Sequence, residues 1–212
     1  MDSSHLTIGI IDFLKSKPFV HIISEPRTGS SALYGSLGGG QQMFNLNEPF
    51  DPNNKPHVRD HVLTYIVQNP NECRVMKNHA FALLDLKQNE QERLWSIPSF
   101  NVGLSRRDWF AQTCSLALAE YTQNWDFPHS AKFNVPVDFF EDKFRQLIGC
   151  KNDLSQLDEH YDILVYYEDI KFPTSQSHRH ISSQTAIENI EQLREVYSKL
   201  KSVHQKYWRL QD

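Results

Sequence analysis

The sequence predicts an α/β fold, a parallel sheet flanked by helices on both faces. Three observations predict it. Short apolar runs of strand length alternate with longer amphipathic stretches through the 212 residues. The run at 19–23 passes through a Pro/Gly loop straight into the helix-like stretch 30–34, a strand–loop–helix unit. Residues able to do chemistry, namely Arg27, Lys77, His79, Arg106, Arg107 and Glu168, each follow a predicted strand. A parallel sheet would gather them at the carboxyl ends of its strands, where ligands of such sheets bind.

Each element has its own signal. Residues 1–17 read as an N-terminal capping segment with a short amphipathic helix over 6–17. Residues 19–23 are the first strand, and 30–37 the first core helix, stopped by Gly38, Gly39 and Gly40. A polar, proline-bearing loop follows through Asn47, Glu48, Pro49 and Phe50. Residues 57–68 place Val58, Val62, Leu63, Ile66 and Val67 on one helical face. Residues 73–76 are the second strand, leading into Lys77, Asn78 and His79. A charged helix over 87–95, a strand over 100–104 and a helix over 106–121 come next. An irregular aromatic loop over 127–136 precedes a helix that Asp138 would cap and that ends at 148. The fourth strand is 162–166, followed by Glu168 and Asp169, and a C-terminal helix spans 185–207. With no internal repeat and no linker, 1–212 reads as a single domain.

Composition removes several function classes. A net charge of −4 supplies no basic field to recruit nucleic acid. No stretch approaches the roughly 18 apolar residues of a membrane span. Asp2, Asp12 and the missing basic leader argue against a signal peptide. Three cysteines, Cys73, Cys114 and Cys150, form no Cys-x-x-Cys pair, which argues against a disulfide framework or a cysteine zinc site. His57 and His61 have the spacing of a helical metal pair, but no third ligand accompanies them, so no metal is expected. The expectation is a soluble, cytoplasmic protein.

The loop Pro26, Arg27, Thr28, Gly29, Ser30, Ser31 carries the sharpest chemical signal. A strand, a small-residue loop and a helix start aim backbone N–H groups at one spot that suits a phosphate. The loop resembles a Walker A motif, with a telling departure. Ser24 stands at the first Gly position, Ser30 stands where the lysine belongs, and the cation has moved to Arg27. A loop that holds phosphate without the ATP lysine suggests a nucleotide donor other than ATP.

Together with two further segments, this loop resembles the sulfotransferases that use PAPS (3′-phosphoadenosine 5′-phosphosulfate). Residues 26–31 match the family's 5′-phosphosulfate loop, Pro-Lys/Arg-Ser/Thr-Gly-Ser/Thr-Ser/Thr. Arg107 and Ser115, eight positions apart, match its 3′-phosphate motif of a strand-end Arg and a helix Ser. Tyr167, Glu168, Asp169 and Ile170 resemble its Tyr-Glu-Asp-Leu. The resemblance spans about residues 19–195. It implies a P-loop NTPase-like three-layer sandwich, PAPS as donor, PAP as product and no metal. It assigns the nucleotide to Arg27, Thr28, Gly29, Ser30, Ser31, Arg107 and Ser115. The basic stretch at His178, Arg179 and His180 lies where the family closes a basic loop over the nucleotide, which makes Arg179 a candidate, although the usual Arg-Lys-Gly form is absent.

The resemblance also implies the catalytic groups. Lys77 and His79 match the Lys and His of the family's Lys-Thr-His, where the His takes the acceptor's proton and the Lys supports the transferring group. Asn47, Glu48, Pro49 and Phe50 resemble the Glu-Pro-Phe segment of bacterial trehalose-type members, where a Glu is the proposed base. His79 and Glu48 therefore both stand as general bases, with Glu48 on a loop expected to be flexible and so better suited to gripping substrate. Arg27 matches the cation at the bridging oxygen. The expected acceptor is a hydroxyl, or else an amine, of a carbohydrate or small molecule. The chain is short for the family, which leaves the acceptor site open or completed by a second subunit in a homodimer. Trp125, Phe127, Phe133, Phe139 and Phe140 could line that site or form core. Two other readings stand beside this one: a P-loop kinase of nucleotides or small molecules, and a degenerate nucleotide-binding protein.

Overall fold

The computed structural model describes residues 9–42, 44–124, 132–172 and 183–204. Strands β1 (Val20–Ser24), β2 (Val75–His79), β3 (Phe100–Ser105) and β4 (Ile163–Tyr166) form one sheet in the order β2-β1-β3-β4. Every pairing is parallel, so the α/β class stands as expected. Ser24 is in register with His79 on one side and Leu104 on the other, and Ser105 with Tyr166. The carboxyl ends therefore form one level edge. The chain leaves β1 towards β2, then returns across it to β3, which puts the reversal of strand order, and so the crevice, between β1 and β3.

Helices cover both faces because the strands are apolar on both. On one face, Ile11 and Leu14 of α1 (Ile10–Lys15) and Leu33 and Tyr34 of α2 (Ser30–Ser36) pack on Val20, Ile22, Val75, Val102 and Leu104. On the other, Val62, Leu63 and Ile66 of α3 (Pro56–Gln68), Leu83 of α4 (Ala80–Leu84) and Leu94 of α5 (Gln88–Trp95) pack with Ile23 and Met76. Helices α6 (Trp109–Thr122), α7 (Val137–Ser155) and α8 (Ile190–Val203) pack on one another, through Cys114, Leu118, Phe140 and Leu193. Phe140 is wholly buried and Phe133 packs against that cluster, so both serve as core. Among the described residues no helix is long and apolar enough to cross a membrane.

Several boundaries move, each for a local reason. Strand β2 begins at Val75 and continues through His79, so Lys77 and His79 lie in the strand rather than after it. Helix α4, which the sequence did not announce, starts at once at Ala80. Helix α6 starts at Trp109, not 106, because Asp108 caps it by accepting from the Ala111 N–H at 2.8 Å. Arg106 and Arg107 are thereby left in the β3–α6 turn. Helix α7 begins after Pro136, with Asp138 in its first turn, and runs on to Ser155 through Gly149. Its buried stripe Phe140, Phe144, Leu147, Lys151, Leu154 outweighs the roughly 1 kcal/mol that a mid-helix glycine costs. The C-terminal helix starts at Ile190, after a 3₁₀ turn over Ser183–Ala186.

Candidate functional site

The loop after β1 turns on two residues with left-handed backbone, Arg27 (φ 61°) and Gly29 (φ 77°). Such a conformation strains a non-glycine residue by about 1–3 kcal/mol and gathers at functional sites. Gly29 is required twice over. A Cβ there would lie 2.5 Å from the Tyr167 ring. Thr28 is buried and donates from Oγ1 to the Glu25 carbonyl at 3.0 Å, closing the loop on itself. Arg27 reaches across the crevice and donates from Nε to Ser115 Oγ at 2.8 Å. Ser30 is buried at the start of α2, and Ser31 is exposed.

The second half of the site lies at the end of β2. Side chains two apart on a strand share a face, and Lys77 and His79 both meet one carboxylate oxygen. Glu48 Oε1 is 2.6 Å from Lys77 Nζ and 3.1 Å from His79 Nε2. Lys77 Nζ also donates to Ser31 Oγ at 2.9 Å, which joins this cluster to the loop after β1. On the far side of the imidazole, Ser24 Oγ lies 3.4 Å from Nδ1. Hydrogen bonding from His79 first, then the charges of His79 and Lys77, hold the Glu48 carboxyl down at about 2 from an ordinary 4.5, against its burial.

The loop that carries Glu48, expected to be flexible, is hydrogen-bonded to β2. The Glu48 N–H donates to the Lys77 carbonyl at 2.7 Å, and the Lys77 N–H donates to the Leu46 carbonyl at 3.0 Å. Residues 46–48 thus lie alongside β2 as a short extra rung, through the bridge Asn47–Lys77. Asn78, on the opposite face of β2, accepts the Phe50 N–H at 3.2 Å and sits 3.1 Å from His21 Nε2. Burial pulls His21 down to about 3, so its neutral ring accepts that amide proton. Glu48 itself is left-handed (φ 57°), the same backbone signature as Arg27.

Arg107 and Ser115, expected to share one phosphate, have different partners. The Arg107 guanidinium is bidentate to Asp169, at 2.7 and 2.9 Å, and stacks 4.0 Å from the Tyr166 ring. Ser115 is 9% exposed and takes the bond from Arg27. Glu168 accepts the backbone N–H groups of Arg107 and Asp108, both at 3.1 Å, and so fixes the β3–α6 turn to the turn after β4. Arg179, Trp125 and Phe127 lie outside the described residues. Among the described residues no three His, Cys, Asp or Glu side chains group to hold a metal ion.

One cluster escaped the sequence reading. Glu25 is 1% exposed, directly before the Pro26–Ser31 loop, and its carboxylate is fully engaged. Ser105 Oγ donates to Oε1 at 2.8 Å, and Gln112 Nε2 and Lys151 Nζ both donate to Oε2 at 3.0 Å. Lys151 spends its other two protons on Ser105 Oγ (3.1 Å) and the Arg106 carbonyl (3.2 Å), with the Trp109 ring 4.4 Å away. Burial pushes the Lys151 ammonium below its usual 10.5, with Glu25 opposing. The available signal was register: Lys151 falls on the apolar stripe of α7, where a charge must find a buried partner.

Comparison with known proteins adds no relative: no protein-family model matches the chain, and no curated protein matches it.

Proposed function

We propose that this protein is a PAPS-dependent sulfotransferase acting on a hydroxyl, or else an amine, of a carbohydrate or small molecule. The observation that carries the reading is the single hydrogen-bonded chain from Ser31 through Lys77 to Glu48 and His79. It sets a cation and a proton acceptor at the mouth of an anion loop that lacks the ATP lysine. Transfer in this reading is an in-line displacement. The acceptor oxygen bonds to sulfur, the bond from sulfur to the bridging oxygen breaks, and that oxygen leaves on the nucleotide phosphate. Arg27 and Lys77 oppose the charge that develops there.

The acceptor proton goes to the Glu48–His79 pair. Within that pair Glu48 Oε2 is the open oxygen, since Lys77 and His79 both engage Oε1. A carboxylate held at about 2 stays ionised and takes the proton once the hydroxyl oxygen turns acidic on bonding sulfur. His79, bonded to the same carboxylate, fixes its orientation and shares the charge.

One observation favours a second reading, a P-loop small-molecule or nucleotide kinase. Lys77 offers the loop an ammonium from β2 even though Ser30 has replaced the loop lysine. Two measurements separate the readings. Calorimetric titration with PAP, ADP and ATP should show PAP bound at least about tenfold more tightly than ADP, the worth of one charge-assisted phosphate contact. Turnover with PAPS should survive EDTA. Equal affinity for PAP and ADP, or turnover of ATP that strictly needs added Mg²⁺, moves the assignment to the kinase.

A further inference from the structure

We infer that Asn78 is a positioning residue: paired with His21, it holds the Glu48 carboxylate against Lys77 and His79 from the opposite face of β2; its effect on catalysis rests on the sulfotransferase reading. Asn78 stands between Lys77 and His79 in the strand, so its side chain leaves on the other face. The segment that carries Glu48 wraps the edge of β2 and is held on both sides. Along the edge, the rung Asn47–Lys77 fixes the backbone, with the Glu48 N–H on the Lys77 carbonyl at 2.7 Å. Two residues on, the chain has crossed to the other face, where Phe50 is wholly buried in one cluster with Ile23 and Met76. There Asn78 Oδ1 accepts the Phe50 N–H at 3.2 Å. Between the two anchors Glu48 turns the chain through a left-handed backbone (φ 57°). Such a conformation persists only where its surroundings over-determine it. The Asn54 amide adds to them by donating to the Glu48 and Pro49 carbonyls at 3.2 and 3.1 Å.

The chemistry at position 78 is specified at both ends. Asn78 is wholly buried, so each end of its amide needs a protein partner. A backbone N–H can only donate, which assigns Oδ1 to Phe50 and turns Nδ2 to His21 Nε2 at 3.1 Å. His21 is buried too, and burial keeps its ring neutral, so Nε2 accepts. Asn offers one acceptor and one donor at that length, whereas Asp lacks the donor and Leu lacks both. Without this grip the segment hangs on the rung alone. The Glu48 carboxylate is then released from the point where Lys77 Nζ and His79 Nε2 meet it at 2.6 and 3.1 Å. Those two side chains, both of β2, are the charged groups that face it. A misplacement of about 1 Å, caused by a change away from the chemistry, costs up to about 10²-fold in rate.

The test follows the Glu48 carboxyl by carbon NMR between about pH 3 and 6, a window that brackets the ordinary carboxylate range. The proteins are the wild type, Asn78→Ala and Asn78→Asp, with Glu48→Gln to assign the signal. Held at about 2, wild-type Glu48 should stay ionised across the window. In Asn78→Ala it should titrate inside the window, near the ordinary 4.5. Asn78→Asp keeps the acceptor towards Phe50 and can draw its missing donor from a protonated His21, so it should restore most of the wild-type behaviour. If Asn78→Ala does not fold, Asn78→Ser, whose hydroxyl stops short of the amide oxygen's position, carries the comparison. Kinetics supply the second arm. Asn78→Ala should lower kcat by about tenfold to 10²-fold with PAP affinity unchanged, and should cost nothing further in a Glu48→Gln background. A Glu48 carboxyl that stays ionised in Asn78→Ala overturns the assignment, as does one that titrates within the window in the wild type. So does an equal loss of kcat in both backgrounds, which is what a merely structural asparagine would give. A wild type that turns over no PAPS overturns the sulfotransferase reading alone, and the carboxyl titration still decides what Asn78 holds.

Discussion

Lys151→Met should be among the most destabilising single changes in this protein, and Glu25→Gln combined with it should restore most of the loss. The carboxylate of Glu25 is 1% exposed and the Lys151 side chain 5% exposed, so neither has water to fall back on. Removing the ammonium strands a buried negative charge and leaves Ser105 Oγ and the Arg106 carbonyl without their donor. Breaking a buried pair from one side costs about 3–5 kcal/mol. In the double variant the stranded charge is gone, Met fills the stem's volume, and the Gln amide can still engage Ser105 and Gln112. Its deficit should fall to about 1–2 kcal/mol, which makes the coupling about 2 kcal/mol or more. The assay is urea unfolding of the wild type, both singles and the double, comparing midpoints at constant slope. Single-variant losses that simply add, or a Lys151→Met loss under about 1 kcal/mol, would refute the reasoning.

Three other outcomes are expected. His79→Ala and Glu48→Gln should each lower kcat by about 10²–10⁴-fold with PAP affinity nearly unchanged, and the double variant should be scarcely worse than the poorer single; multiplicative losses in steady-state kinetics would show that the two act separately. Glu48 has its folded-state pKa lowered from 4.5 to about 2, so its stabilisation is fully present above its unfolded value and is lost as the pH falls through about 2. That contribution is at most about 3 kcal/mol, and acid titrations of urea midpoints should show it in the wild type and not in Glu48→Gln. Gly29→Ala should cost about 2 kcal/mol or more, since it combines a left-handed backbone with a ring 2.5 Å from the new Cβ; an unchanged melting temperature with unchanged PAP binding would contradict that placement.

What the sequence disclosed followed from periodicity, and what it withheld followed from pairing. The strand–loop–helix at 19–37 was legible because its apolar run, its Pro/Gly punctuation and its serines all agree. Lys77 and His79 were legible as a same-face pair by their spacing of two. Their partner was not, because nothing local says that residues 46–48 lie along β2; that contact is set by Asn78 gripping Phe50 across the sheet. The start of α6 was misplaced because Arg106 and Arg107 favour helices as well as turns, and only the Asp108 cap decides the boundary. A spacing of eight between Arg107 and Ser115 says nothing of the ion pair that Arg107 makes with Asp169, 62 positions further on.

The two-residue period of a strand also explains how an acidic side chain can stand directly before a loop proposed to bind an anion. Ser24 and Glu25 are neighbours, yet they face opposite sides of the sheet edge. Ser24 turns to His79 and its cluster with Glu48 and Lys77, while Glu25 turns to Ser105, Gln112 and Lys151 and is sealed from water. An exposed carboxylate at that position would repel an incoming phosphate. A sealed and neutralised one instead ties the chain just before the loop to β3, α6 and α7 at once. Gln112 extends the anchor by donating to the Pro26 carbonyl at 2.8 Å, one residue before the strained Arg27. A left-handed arginine costs about 1–3 kcal/mol and persists only where its surroundings over-determine it. The Glu25–Lys151 pair supplies that over-determination from one face, while Ser31, Lys77, Glu48 and His79 cluster on the other. In the proposed sulfotransferase, stability and chemistry would thus be divided between the two faces of one strand end, one residue apart.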